Sequence, residues 1–439
     1  MSEWKETEIG LIPRDWDAIK FEKILEIPLR NGLNKPSRIR GDGYKMINMN
    51  EIFAHNIIKD ISMELVPLTE QEKKVSLLNK NDLLFARQSL VFDGAGKCSI
   101  FVGESKDVCF EGHLIRARLD KKISNPLFYY YFFSSDYGKR FIRTIIEQAV
   151  VAGIRASDLK ELVIPYAPKQ HQDRSADVLS CLDAKIENLR RQNETLEAIA
   201  QTLFKYWFID FEFPDADGKP YESSGGEMVD SAIGDIPKGW QVGKLKDVSD
   251  ITSSKRIFSS EYVESGIPFY RSKEIIELHA GQNVTTELYI SAEKFNAIKS
   301  KFDVPKTGEI LLTSVGTIGI PYLIDKNDEF YFKDGNLTWI KNFKNGFSGV
   351  VIYYWLKSDS TQNKIKQNTI GSTQKALTIQ ALGNISIFIP DSKTLNKYTE
   401  FIEVINSKIE TNIFQIQTLT KTREALLPKL MSGQLRVKE

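Results

Sequence analysis

The chain has 439 residues, 41% hydrophobic and 27% charged, enough for about three domain-sized units of ordinary core-forming composition, which excludes a disordered chain. Fifty-nine Lys and Arg balance 58 Asp and Glu for a net charge of +1, which excludes an indiscriminate polycation but leaves room for a local basic face. No wholly apolar or aromatic run is longer than Leu127 to Phe133, far short of the ~20 residues that cross a bilayer, and Met1 to Glu8 lacks the apolar stretch of a secretory signal. Three cysteines (Cys98, Cys109, Cys181) are too few and too scattered for a disulfide framework or a zinc site. A cytoplasmic protein without a membrane segment is expected.

In chain order the first element is the turn signature Gly10-x-Ile12-Pro13-x-x-Trp16, in which Pro presets φ and Gly permits the turn. It returns as Gly234-x-Ile236-Pro237-x-x-Trp240, 224 residues later. Gly43 to Ile52 returns at Gly266 to Ile275, Glu111-Gly112-His113-Leu114 at Asp334-Gly335-Asn336-Leu337, Tyr130 to Asp136 at Tyr353 to Asp359, and Lys185-Ile186-Glu187 at Lys408-Ile409-Glu410, all at an offset of 223. Markers in one order at one spacing identify a tandem duplication. Within each copy the signature leads into a mixed region of short strands, such as Asp82 to Phe85 and Glu309 to Leu312, between Gly- and Asn-rich turns. That region exits through Leu162-Val163-Ile164-Pro165 or Ile387-Phe388-Ile389-Pro390. A long segment almost free of Gly and Pro closes each copy.

These last segments carry heptads. Leu182, Leu189, Leu196 and Leu203 occupy one seam position of the first, with Ile186, Asn193 and Ala200 at the other. In the second, Ile405, Asn412, Leu419 and Leu426 alternate with Ile402, Ile409, Ile416 and Arg423. So narrow a seam suits another helix better than a sheet, and the helix of the other copy is the nearest partner. Mirroring the copies sets Asn193 against Asn412. The boundaries are 1–170 and 232–393 for the mixed regions, 171–210 and 394–431 for the helices, 211–231 for a polar Gly/Pro/Ser linker, and 432–439 for a tail.

No reaction centre is legible. Gly94-Ala95-Gly96-Lys97-Cys98 resembles the end of a phosphate loop, but Val91 stands where its first Gly belongs and Cys98 replaces the Mg²⁺-binding hydroxyl; a Gly-rich β-turn is the simpler reading. The histidines (His55, His113, His171, His279) are dispersed, no metal site is expected, and Asp215 with Asp217 and Lys219 falls in the linker, where it reads as turn chemistry. A recognition surface is more legible. Arg30, Lys35, Arg38, Arg40 and Lys45 cluster on a Gly-bearing stretch, matched in the second copy by Lys255, Arg256, Arg271 and Lys273. Arg87, Thr313, Ser314 and Gln374 follow strands or lie in loops and add hydrogen-bonding groups. Cations on short loops can reach phosphates and guanine edges.

The tandem plan, the two signatures, the strand-Pro exits and the helix sequences Leu196-Glu197-Ala198-Ile199-Ala200-Gln201-Thr202-Leu203-Phe204-Lys205-Tyr206-Trp207-Phe208 and Arg423-Glu424-Ala425-Leu426-Leu427-Pro428-Lys429-Leu430-Met431-Ser432-Gly433 together resemble the specificity (S) subunit of type I restriction–modification enzymes. The resemblance covers essentially the whole chain. It implies an α+β protein: two mixed α/β target recognition domains in a tandem pseudo-two-fold repeat, separated by two long antiparallel coiled-coil helices. It also implies that each domain reads one half of a bipartite, asymmetric site in double-stranded DNA. The implied partners are two methyltransferase (M) subunits that bind S-adenosylmethionine and methylate adenine, joined, where restriction occurs, by two ATP- and Mg²⁺-dependent restriction (R) subunits. The chain itself would bind no cofactor and catalyse nothing. No DNA contact carries over residue by residue, because the family has no fixed base-reading motif. The alternatives are a non-catalytic coiled-coil scaffold without sequence-specific DNA binding and a standalone endonuclease. Since each copy owns a recognition region and a helix, a fragment of residues 1 to about 215 is expected to dimerise with a second copy of itself.

Overall fold

The computed structural model describes residues 3–148, 151–281, 284, 286–326, 328–371 and 375–437. Its contacts divide the chain into two units, Met1–Glu187 with Thr418–Glu439, and Asn188–Gln417.

The first unit opens with the hairpin Trp4–Thr7 and Gly10–Pro13, whose turn needs the φ of +94° at Gly10. Its main sheet has the order Leu25–Asn31, Leu114–Leu119, Asp82–Ala86, Cys98–Phe101, Ile57–Ile58, antiparallel except for the last pair. A second sheet sets Tyr44–Ile47 between Val108–Phe110, which is parallel to it, and Glu64–Val66. Asp82 is buried within the main sheet, and Arg118 from the neighbouring strand clamps both of its oxygens at 2.7 Å. The apolar run noticed in the sequence forms the helix Pro126–Ser134, buried from Phe128 to Phe133; Asn125 caps it through Leu127 N at 2.9 Å and Pro126 opens it.

The second unit repeats the plan at an offset of 223. Leu337–Lys341 stands in for Leu114–Leu119, in a sheet ordered Asp250–Thr252, Leu337–Lys341, Ile310–Thr313, Pro321–Leu323. Ile267–Tyr270 again pairs in parallel with the strand that immediately precedes Leu337–Lys341, Tyr331–Phe332. The helix Gly349–Lys357 takes the place of Pro126–Ser134. Residues 211–231 are more than a polar tether. Phe211 and Phe213 are buried, and Phe213 stacks on Tyr221 at 4.6 Å and on Trp240 at 5.1 Å, so the repeated Trp anchors this segment within the second unit. Asp215 Oδ1 accepts from Asp217 N at 2.8 Å and Lys219 N at 2.9 Å, the expected turn chemistry.

The long helices span Lys169–Phe208 and Ser392–Met431, 40 residues each. In the first unit the start of the first helix meets the end of the second: His171 Nε2 lies 3.2 Å from Leu430 O, and Leu430 and Met431 join the buried core. In the second unit the end of the first helix meets the start of the second, with Phe204, Trp207 and Phe208 packed round Tyr398. The pairing is therefore antiparallel in both. Ile186, Leu189, Ala200, Ile402 and Asn412 are buried; Leu182, Asn193, Leu196, Leu203, Ile405, Ile409, Ile416, Leu419, Arg423 and Leu426 are half-buried. Asn412 Nδ2 donates to Asn193 Oδ1 at 2.8 Å, the mirrored pair expected from the repeat. Asn412→Leu should leave Asn193 without its partner and cost about 1–3 kcal/mol, whereas Asn193→Leu with Asn412→Leu should recover that loss, both read by urea unfolding of the full chain.

Candidate nucleic-acid interface

In the first unit the basic residues separate into two groups. Arg30 is exposed at the end of the edge strand Leu25–Asn31, and Arg38 is exposed in the short 3₁₀ turn Ser37–Ile39. Lys45, on the central strand of the second sheet, and Arg87, which follows Asp82–Ala86, are half-buried. Lys35 and Arg40, by contrast, face inward. The Lys35 side chain is 9% exposed and lies 2.8 Å from Glu72, whose carboxyl this hydrogen bond, with help from Thr69 N, holds below the usual range. Glu72 completes the capping box of the helix Glu70–Ser76, so Lys35 ties the basic loop to a helix start. Arg40 Nε donates to Lys35 O at 3.0 Å and Nη1 to Asn48 Oδ1 at 3.2 Å, with a further ion pair to Glu64. Neither is a free cation for DNA: the fold spends both on its own carboxylates.

The first unit also has an open cleft that the charge pattern did not indicate, lined by Asn50, Phe53, Gln88, Leu90, Val91, Lys97, His113 and Val151, with Asp93 held by Arg143 at 2.9 Å. Leu90 is 92% exposed and Val91 and Phe92 beside it are exposed too, a contiguous apolar patch. Lys97 donates to Phe53 O at 2.9 Å with its ammonium 5.5 Å from that ring; burial, then the charge of Lys139, lowers its pKa. Gly94 and Gly96 make a tight turn here, since a Cβ on Gly94 would sit 2.2 Å from Ser89 Oγ. Amides, one cation and an exposed aliphatic tip can read base edges and thymine methyls. The signal was available in the sequence as an apolar triplet, Leu90-Val91-Phe92, set in a turn.

In the second unit Lys255 and Arg256 are exposed; the Lys255 ammonium sits 4.3 Å above the Phe302 ring and Arg256 pairs with Asp334 at 2.9 Å. Lys273 is exposed, 3.6 Å from Glu277. Arg271 is engaged at 2.8 Å by the buried Glu274, whose other oxygen caps the helix Ser272–His279 through Arg271 N. Thr313 and Ser314 are corrected outright. Both are buried, Thr313 Oγ1 accepting from Ile320 N at 2.9 Å and Ser314 Oγ lying 2.6 Å from Thr338 Oγ1, so they knit the sheet. The neighbouring Gly316 and Thr317 are the exposed residues of that loop. Gln374 lies outside the described residues.

Among the described residues no group of three or more His, Cys, Asp or Glu could hold a metal ion, and no helix is long and apolar enough to cross a membrane. Burial pushes the Cys98 and Cys109 thiols up, Cys109 to about 12, so neither is a thiolate at neutral pH. Lys35→Met and Ser314→Ala should each lower unfolding stability by about 1–3 kcal/mol, because each leaves a partner unsatisfied, while the exposed Arg38→Ala should stay within about 0.5 kcal/mol; urea titration distinguishes the two classes.

The comparisons with known proteins converge. The family model described as "Type I restriction modification DNA specificity domain" matches residues 13–198 and again 237–421. The type I restriction enzyme MjaIX specificity subunit of Methanocaldococcus jannaschii is 29% identical over 446 residues, covering 100% of this chain and 98% of its own. The HindI specificity subunit of Haemophilus influenzae is 21% identical, covering 99% of this chain and 100% of its own. The crystal structure of the type I restriction–modification S subunit from M. genitalium superposes with a TM-score of 0.56 at 17% identity, covering 94% of this chain and 96% of that one, a likeness of fold. With both of its copies matched, the chain belongs to the type I restriction–modification DNA specificity family.

Proposed function

We propose that this protein is the sequence-reading subunit of a type I restriction–modification complex and that each of its units reads one part of a bipartite, asymmetric site in double-stranded DNA. The observation that carries this reading is the duplication itself. One fold module occurs twice, both copies match the specificity-domain family, and the copies differ in the side chains their loops expose. The first offers Arg30, Arg38 and the Leu90 cleft; the second offers Lys255, Arg256 and Lys273. Phosphate contacts would position each module and the differing loop residues would specify its half-site. A scaffold without DNA specificity leaves that divergence on a common frame unexplained.

In this reading two M subunits supply S-adenosylmethionine and the methyl transfer to adenine, and restriction draws on two R subunits with ATP and Mg²⁺, in the cytoplasm. This chain contributes binding and orientation only. Mapping methylated adenines in DNA exposed to the chain with its M partner tests the reading: a split, asymmetric site supports it, and methylation indifferent to sequence overturns it. Arg38→Ala should weaken DNA binding and reduce the log–log salt slope by about one unit per lost phosphate contact, and Lys255→Ala with Arg256→Ala should do so through the other half-site. Titration at several salt concentrations, against DNA altered in one half-site at a time, checks both.

A further inference from the structure

Each unit contains a polar cluster that ties its buried helix to both long helices. In the first unit Tyr131 donates to Asp183 Oδ2 at 2.7 Å, and Asp183 Oδ1 forms an ion pair with Arg423 Nε, also at 2.7 Å. Tyr131 and Asp183 belong to the first copy; Arg423 comes from the other copy's helix. In the second unit Tyr354, the counterpart of Tyr131, donates to Asn406 Oδ1 at 3.0 Å and lies 3.3 Å from Glu197 Oε2; Lys357 closes an ion pair with the same Glu197. Here Asn406 is the counterpart of Asp183, and Glu197 comes from the other copy's helix. The charge pattern is thus reversed. The first unit supplies the acid and borrows a cation, and the second supplies a cation and borrows the acid. All four charged side chains are one-quarter exposed or less. Burial, then the nearby carboxylate, raises both tyrosines' pKa, so both remain donors at neutral pH.

The offset of 223 shows what a second copy of the same helix would present instead. A second copy of the first helix would bring Ala200 to the place of Arg423 and Glu197 to the place of Thr420. Asp183 would lose its cation and gain a second carboxylate. A second copy of the second helix would bring Arg423 and Thr420 to Lys357, leaving two cations and no acid. The middle of the seam discriminates in the same direction. Asn412 Nδ2 donates to Asn193 Oδ1 at 2.8 Å, but in a like pair Asn193 would face Leu189 and Asn412 would face Ile416, leaving a polar side chain against an aliphatic one in both cases.

We propose that the long-helix pair selects the helix of the other copy over a second copy of the same helix, through reversed charges in the two units and one asparagine pair. The apolar seam alone favours self-pairing of a fragment of residues 1 to about 215; these polar layers oppose it. Repulsive elements of this kind set partner choice in helix pairs at some cost in stability.

The test uses the full chain. Thr420→Glu with Arg423→Ala presents to the first unit the two side chains that a second copy of the first helix would bring. Its thermal midpoint should fall by about 5 °C or more, the size expected when a half-buried ion pair gives way to facing carboxylates. The neutral control, Thr420→Gln with Arg423→Ala, should fall by clearly less. Adding Ser134→Lys and Asp183→Asn to the Glu variant rebuilds the second unit's cluster in the first and should restore at least half of the loss. The proposal is overturned if the Glu variant melts within about 1 °C of the parent, if the Gln variant melts as low as the Glu variant, or if the rebuilt cluster fails to recover stability or to fold.

Discussion

The largest apolar cluster of each unit is not closed by its own copy of the repeat. Leu430 and Met431, from the second long helix, are buried in the first unit with Trp16, Phe128 and Leu179. Ala200, Phe204, Trp207 and Phe208, from the first, are buried in the second unit with Trp240, Leu395 and Tyr398. Pairing of the helices therefore completes the largest cluster of each unit and is more than a link between domains. Removing either borrowed segment would expose a large aromatic and aliphatic surface at about 25 cal/mol per Å². The repeated Gly-x-Ile-Pro-x-x-Trp signature serves this constraint. It carries Trp16 to within 5.1 Å of His171 near the start of one long helix, and Trp240 to within 5.9 Å of Phe208 at the end of that helix.

Much of this architecture was legible from spacing. A duplication at a constant offset needs no propensity argument, and a seam at intervals of three and four residues survives in any helical register. The register itself was legible because a buried asparagine tolerates few neighbours, which is why mirroring Asn193 onto Asn412 located a contact the structure contains. The linker was less legible. Its Gly, Pro and Ser describe a turn-rich backbone, but Phe211 and Phe213 decide where that backbone lies, and two aromatics in a polar stretch carry little weight by composition.

The candidate site was legible only in part, for a physical reason. Arg and Lys in a loop look alike in sequence whether they wait for a phosphate or already hold a carboxylate. Lys35 and Arg38 stand three residues apart; one is clamped by Glu72 and the other is exposed, and the deciding carboxylate lies 37 residues from the lysine. Thr313 and Ser314 misled for the opposite reason. They follow a strand and resemble loop donors, yet the sheet continues far enough to bury them and consume their hydroxyls. Leu90 carries no charge to draw attention in sequence, and the less ordinary observation is the contiguous exposure of Leu90, Val91 and Phe92.

Apolar seams supply most of the energy of a helix pair and little of its identity, since leucine and isoleucine accept one another at any heptad. A slip of seven residues would set Asn412 against Ile186 or Ala200 in place of Asn193, with the aliphatic layers still in contact. Polar side chains have the opposite properties: they add little net energy when satisfied and cost much when they are not. Placing Asn193 and Asn412 in the seam, and tyrosine–acid–cation clusters beside it, makes stability depend on which helix arrives and in what register. A duplicated chain needs such a device more than an unduplicated one, because its best-matched competitor for every surface is its own other copy. The divergence of Asp183 from Asn406, and of Glu197 from Thr420, is where the two copies stop being interchangeable.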